Sequence, residues 1–313
     1  MGKFKTQKSL NLSDIQFIDL TMTKLMIIGP LTKDRIVKKS NVCNTVGGGV
    51  YYQSAVLTGL GMDNTVITTM SKMDKGLMKQ FPGAAQIIPI YTDKTMEFEN
   101  IYPDDNPNHR IQKSQVPVNP IKPANFKDLN LKAYDTILLS PLSPYDIPLK
   151  TVQYLSKQDI PLYLGAQGYL RHVESGNVVL KPWKDYKRFL KLVDFLFLDE
   201  LEARVILGNS SDNCAEIAQV LSNFGPEEVI ITRGDRGAVI YSQITAKNKN
   251  IHDIPSFPPE EIVDPTGLGD TFMAAYAVKK LETPDPVECG RFAVHISSLK
   301  IGQKGALFEI KRK

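Results

Sequence analysis

The sequence predicts an α/β fold of three layers, with a mostly parallel central sheet covered by helices on both faces and a small β-sheet lid. Three observations carry that prediction. Short apolar strand-like runs alternate with helix-length stretches along most of the chain. Several of those runs, such as "DTILLS" and "DFLFLD", are continuously apolar, as strands buried on both faces must be. One segment, "TMEFENIY", instead alternates in the manner of a half-exposed sheet.

The elements follow in order. "KLMIIGPLTKD" (24–34) reads as a buried strand entering a Gly-Pro loop. "GGGVYYQSAVLTGLG" (47–61) is a glycine-rich turn, a helix and a glycine stop, and "NTVITTMSK" (64–72) is the next strand. Residues 86–104 hold two strand-like runs about a polar turn, and the region 86–115 is read as a small sheet attached to the main one. The expected lid spans about 34–46 and 88–115. From residue 134 the alternation is regular: strands at 135–140, 161–166 and 194–199, and helices from about 147, at 200–208 and at 214–225. "EVIITRGDRGAVIY" (228–241) is strand, turn, strand. Helices at 270–281 and about 286–301 follow. Residues 1–23 form an N-terminal extension to a single domain over 24–313.

Composition narrows the function. Of 313 residues 42% are hydrophobic and 23% charged, as in ordinary globular chains. The net charge of +4 comes without any Lys/Arg-rich block, so nucleic acid is not an expected partner. No apolar run reaches membrane-span length, and no apolar leader opens the chain; no membrane partner and a cytoplasmic location are expected. Three dispersed cysteines argue against a disulfide framework, and the four histidines lack zinc-site spacing. The P-loop, dinucleotide-binding GxGxxG and GxSxG patterns are absent.

The chemistry concentrates in "DPTGLGDTFMAAYAVKK" (264–280). Gly267 and Gly269 free the backbone to turn successive N–H groups toward one point. The helix beginning there is apolar nearly all round, hence buried, so its N-terminus faces a protected site that attracts an anion. Asp270 sits where that anion would lie. Two readings of Asp270 stand at this point: a helix N-cap, or a base that accepts a proton during phosphoryl transfer.

"DPTGLGD" resembles the D-T-x-G-A-G-D signature of the ribokinase-like (PfkB) carbohydrate kinases, with Pro265 for a usual Thr or Ser and Leu268 for Ala. Other motifs fall in the family's order over about residues 24 to 306. "IIGPLTKDRIV" is similar to its first strand and loop, and "GGGVYYQSAVLTGLG" to its glycine signature. "MSKMDKG", "AQGYLR", "DELEA" and "ITRGDRGAVIY" resemble its V-G-x-D-x-x-G, D-x-Q/N-G-x-x-R, N-x-x-E and T-x-G-x-x-G stretches.

The resemblance implies a ribokinase-like kinase using ATP and Mg²⁺ on a hydroxyl of a small sugar, polyol or nucleoside. It makes Asp270 the catalytic base and the amides of Gly267, Leu268, Gly269 and Asp270 an anion hole. It assigns substrate binding to Asp34, Gly47, Gly48, Gly49, Gln53, Gln167 and Arg171. It places the nucleotide against Thr232, Arg233, Gly234, Asp199 and Gly302, and has Glu202 hold Mg²⁺ through water. A monovalent cation such as K⁺ near Asp264 and Thr266, and a homodimer through the lid, occur in some members.

Departures bear on the substrate. Asp199 replaces the family Asn, Gly165 an Asp, and Gly49 and Tyr52 stand at a usual Lys and Asn. The ribose contacts are thus not all present. The variants point to inositol-like or nucleoside acceptors, and the missing lysine disfavours a phosphosugar. Blander readings accompany each residue. Asp34 could be a loop acid or a cap, Arg171 an ion-pair partner, and Glu97, Glu99 and Arg110 a solvated face. Tyr51 and Tyr52 read as packing, and Cys43 as a passive thiol. The rival to the enzyme is a ribokinase-fold binding protein that senses a nucleotide or polyol with little turnover.

Overall fold

The computed structural model describes residues 23–38, 41–103, 111–209, 211–245, 248–307 and 309–310. The extension up to residue 22, part of the expected lid run and Arg110 lie outside the described residues. In chain order the strands and helices are β1 (Lys24–Pro30), β2 (Thr32–Lys38), β3 (Asn41–Gly47), α1 (Gly49–Gly59), β4 (Asp63–Ser71), β5 (Gln86–Thr92), β6 (Met96–Tyr102) and β7 (Ile111–Gln115). Then come β8 (Thr136–Leu139), α2 (Leu149–Leu155), β9 (Leu162–Gly165), α3 (Gln167–Leu170), β10 (Arg171–Glu174), β11 (Asn177–Leu180), α4 (Tyr186–Leu190), β12 (Phe195–Asp199) and α5 (Glu200–Ile206). The chain continues through α6 (Cys214–Ser222), β13 (Glu228–Thr232), β14 (Ala238–Thr245), β15 (Asn248–Ile254), α7 (Leu268–Glu282) and α8 (Pro286–Ile301).

The large sheet runs β15-β14-β13-β12-β9-β8-β1-β4-β5. From β13 to β5 every pairing is parallel, and β14 and β15 close one edge antiparallel. β1 shows why the sheet is buried on both faces. Leu25 and Ile27 pack into a core with α1, α7 and α8, while Met26 and Ile28 pack into a second core with α2, α4, α5 and α6. The three-layer expectation is met. Strand order reverses between β1 and β8: the chain moves outward to β5 on one side, then to β13 on the other. Ligands of open α/β sheets bind beyond the carboxyl ends of the strands at such a point. Among the described residues no helix is long and apolar enough to cross a membrane.

The second sheet has six strands in the order β10-β11-β7-β6-β2-β3. Met96, Phe98 and Leu142 form a small core beneath it. Two details correct the expected lid. Gln86–Thr92 is not part of it; it pairs parallel with β4 as the edge strand of the large sheet, a place that tolerates Pro89. The hairpin β10–β11 does belong to the lid, packing antiparallel onto β7. Its turn, Ser175 at φ 48° and Gly176 at φ 83°, has the two positive-φ residues of a type I′ hairpin.

Candidate active site

The turn before α7 is built around Gly267, the N-cap residue, in the left-handed region at φ 76° and ψ 14°. A side chain there would also meet the Tyr52 ring, 2.3 Å from an added Cβ. Only glycine fits on both counts. The first intrahelical bond runs from the Thr271 N–H to the Gly267 carbonyl. The amides of Leu268, Gly269 and Asp270 therefore belong to the turn with no intrahelical acceptor, and the Leu268 N–H makes only a long 3.4 Å contact with Pro265. Phe272 to Val278 are all buried, between α1, α8 and the sheet, so the open end of a core helix is held in place.

Asp270 occupies the third helical position, and no side chain caps this helix. The N-cap reading of Asp270 is thereby set aside. Its carboxylate crosses to α1: a Cβ added to Gly49 would lie 2.6 Å from Oδ1. The surrounding protein withholds water and pushes its pKa up to about 6, against the pull of the Arg171 guanidinium.

One pocket at the switch point gathers much of the expected set. Asp34, Gly48, Gly49, Gln167, Arg171, Gly267 and Asp270 all line it. Asp34 comes from β2 of the lid, is buried, and accepts the Thr32 hydroxyl proton at 2.6 Å. Gly47 lies behind it, its Cα close against the Asp34 carboxylate. Arg171 ends α3 and begins β10, at the joint between core and lid. Gln53 does not line the pocket. It is fully buried, accepts the Ser140 hydroxyl proton at 2.7 Å and donates to Met273 Sδ at 3.4 Å, so it braces α1 against β8 and α7. Tyr51 and Tyr52 are buried edge to face, 5.4 Å apart, as packing residues, although Tyr52 also borders the pocket.

Thr32, Phe98, Asn100, Gln112 and Leu142 complete the wall and were not singled out in the sequence, and Thr266, named there only beside the expected cation, joins them. Phe98, Asn100 and Gln112 come from the alternating lid strands. Alternation identifies a face but not what it faces, and no motif marks these residues. Gln112 donates to Asn100 at 2.8 Å, an amide pair inside the wall.

The residues expected to hold the nucleotide lie apart from this pocket, at the ends of neighbouring strands. Asp199 and Thr232 are register partners at the carboxyl ends of β12 and β13. Arg233 is engaged by Asp253, at 2.6 Å. Gly302 caps α8. Asp199 caps α5: it accepts the Glu202 N–H at 2.7 Å, while Glu202 accepts the Asp199 N–H at 3.0 Å, a capping box. Burial, then the Asp199 charge, raises the Glu202 pKa, and Arg171 opposes. Each carboxylate uses one oxygen in the box. Mg²⁺ asks of a protein only one or two carboxylates when phosphates supply the rest, so the donor set fits that ion.

Asp264 anchors the loop before α7. It accepts the amides of Thr266 and Gly305, each at 2.9 Å, and its main-chain carbonyl accepts Lys300 Nζ at 2.6 Å. Burial works to raise its pKa, but the Thr266 bond and the Lys300 charge prevail and hold it below the usual carboxylate range.

Comparison with known proteins finds kinases, in sequence and in fold. Residues 169–312 match the profile of the pfkB family carbohydrate kinases. A ribokinase of Arabidopsis thaliana is 27% identical over 174 residues, 55% of this chain and 42% of that protein. A cytidine kinase of Thermococcus kodakarensis is 23% identical over 270 residues, 82% of this chain and 87% of that one. A pyrophosphate-dependent kinase in the ribokinase family, solved with a pyrophosphate analog and myo-inositol, superposes with a TM-score of 0.75 at 22% identity, covering 90% of this chain and 97% of that chain. The segment that matches the pfkB profile carries α7 with its glycine turn, and the chain has the fold of the ribokinase-family kinase on which it superposes.

Proposed function

We propose that the protein is an ATP-dependent kinase that moves the γ-phosphoryl group to a hydroxyl of a small inositol-like polyol, sugar or nucleoside. The observation that carries this reading is the enclosed carboxylate of Asp270, which opens onto the same pocket as Asp34, Arg171 and the α7 turn. Asp34 and the Gly47–Gly49 turn hold acceptor hydroxyls, and Gln167 stands beside them. Asp270, with its pKa near 6, is ionised at neutral pH yet basic enough to take the proton of the attacking hydroxyl. The amides of Leu268 to Asp270 and the dipole of α7 neutralise charge on the moving phosphoryl, where most of the rate enhancement arises. Arg171 sits between Asp270 and Glu202 in charge and draws anions into the joint between lid and core.

The nucleotide would lie along Thr232, Arg233 and Gly234 toward Gly302, with Asp199 and Glu202 nearest its metal. Bound Mg²⁺ would screen the phosphate charges against those two acids. The lid strands roof the acceptor and exclude water from a reaction that water would otherwise waste. A cytidine kinase relative and a myo-inositol-bound structural neighbour support nucleosides and inositols as the first acceptors to try.

The test is release of ADP from ATP·Mg²⁺, and of orthophosphate from pyrophosphate, across inositols, free sugars, phosphosugars and nucleosides, with Asp270→Asn in parallel. A rate that depends on one acceptor and vanishes in the variant establishes the kinase and names its substrate class. A flat panel with tight nucleotide or polyol binding by calorimetry replaces the kinase with the sensor.

A further inference from the structure

Lys300 has no exposed surface. A buried ammonium is costly unless charged or polar partners meet it. Its partners are Asp264, in the loop before α7, and the Tyr52 ring of α1. It donates to the Asp264 main-chain carbonyl at 2.6 Å, lies 3.8 Å from the Asp264 carboxylate, and sits 5.8 Å from the centre of the Tyr52 ring. It also belongs to the last turn of α8, the end that favours a cation. The Ile301 carbonyl at the same helix end accepts the amides of Val263 and Asp264. From Asp264 the contacts continue through its carboxylate to the Thr266 N–H, and so to Gly267 and the open amides of α7. Tyr52, over which the ammonium lies, is the ring that packs on Gly267.

A monovalent cation beside Asp264 and Thr266 would need oxygen ligands of the kind Asp264 offers, a main-chain carbonyl and a carboxylate. Lys300 already holds the carbonyl and stands 3.8 Å from the carboxylate, whose two oxygens accept the Thr266 and Gly305 amides, so these residues do not fit an added K⁺. We propose that Lys300 is a built-in monovalent cation: its ammonium holds the Asp264 main chain, and thereby the Thr266–Gly267 turn, in the shape that presents the α7 amides to the phosphoryl group. Lys300 touches no substrate and is a positioning residue. The inference rests on the kinase reading for its consequence in turnover, but the occupancy of the cation site stands by itself. Burial lowers the Lys300 pKa to about 8 and Asp264 opposes, which leaves the ammonium charged at neutral pH.

The experiment compares wild type, Lys300→Ala and Lys300→Met as full chains, in buffers where KCl or NH₄Cl replaces tetramethylammonium chloride at constant ionic strength. Both turnover and the thermal midpoint are read. Wild type is expected to show the same turnover and midpoint in all three salts. Lys300→Ala should lose about tenfold or more in kcat, as displaced catalytic groups do, with little change in acceptor KM. K⁺ or ammonium should restore most of that loss and raise its midpoint. Lys300→Met, which fills the space without charge, should be equally slow and not rescued. K⁺-specific activation or stabilisation of wild type would overturn the inference, as would full turnover in Lys300→Met or a Lys300→Ala midpoint indifferent to the cation. If no acceptor supports turnover in wild type, the kinase reading fails, and the midpoint titrations still decide the cation site.

Discussion

Two helix N-termini near the same end of the sheet carry acids in their first turns, and they use them in opposite ways. At α5, Asp199 and Glu202 bond each other's amides, so the helix closes on itself. At α7, the cap is a bare glycine, no side chain returns to the amides, and Asp270 reaches across to Gly49 instead. Glu202 at the first and Asp270 at the second are driven up in pKa by burial. The difference lies in what satisfies the helix. A capped end stores its acids as structure, whereas an uncapped end held in a core offers both its acid and its amides to a ligand.

The largest expected effect breaks the α7 side of this contrast. Asp270→Asn should lower kcat at least about a hundredfold, the usual worth of a general base, while calorimetry still detects nucleotide. Near-normal turnover would remove Asp270 as the base. The same variant should be more stable than wild type at neutral pH. Because the folded Asp270 pKa lies near 6, above its ordinary 3.8, its stabilising contribution is complete below the lower value and lost as pH rises through the higher one. Denaturant titrations at acid and neutral pH check that sign.

Gly267→Ala tests whether the bare cap is forced. The left-handed backbone should cost roughly 1–2 kcal/mol, with more from the contact with Tyr52, and turnover should fall with the turn. An unchanged urea midpoint would contradict the geometry. On the α5 side, Asp199→Ala should lose about 1 kcal/mol of stability through the lost cap. Glu202→Gln keeps an acceptor for the Asp199 amide and should leave stability close to wild type. A rise in the Mg²⁺ concentration needed by that variant would give Glu202 a second task beyond the box, and an unchanged Mg²⁺ dependence would confine it to structure.

The smallest effect is a shift along the pH axis. The acid limb of kcat/KM should fall near pH 6, as the base becomes ionised. Arg171→Gln removes the opposing positive charge and should move that limb to higher pH. A limb in the ordinary carboxylate range would mean that water reaches Asp270 freely.

Much of the frame was legible because each layer imposes its own period. Continuous apolar strands such as "FLFLD" can only be buried on both faces, and the all-round apolar α7 can only be a core helix. The lid was legible in part. β6 alternates cleanly, with Met96, Phe98, Asn100 and Tyr102 buried, but the hairpin β10–β11 has two short strands without a buried face, and its existence depends on pairing with β7. The Glu-Ser-Gly-Asn run at its turn was the available signal. Gln53 looked like a member of the glycine signature, yet its amide is spent on Ser140 and Met273, residues far away in the chain.

By itself, then, the sequence determined the layers, the parallel sheet and the glycine turn at residue 267, because periodicity and backbone freedom are local properties. Only the tertiary structure decided which acids line the pocket and which are taken up by a cap, since that depends on which amides are already satisfied. It also decided that Lys300, an unremarked residue near the end of a helix, lies buried against Asp264. A charge acquires its role from the partners that folding brings within reach, and those partners come from distant parts of the chain.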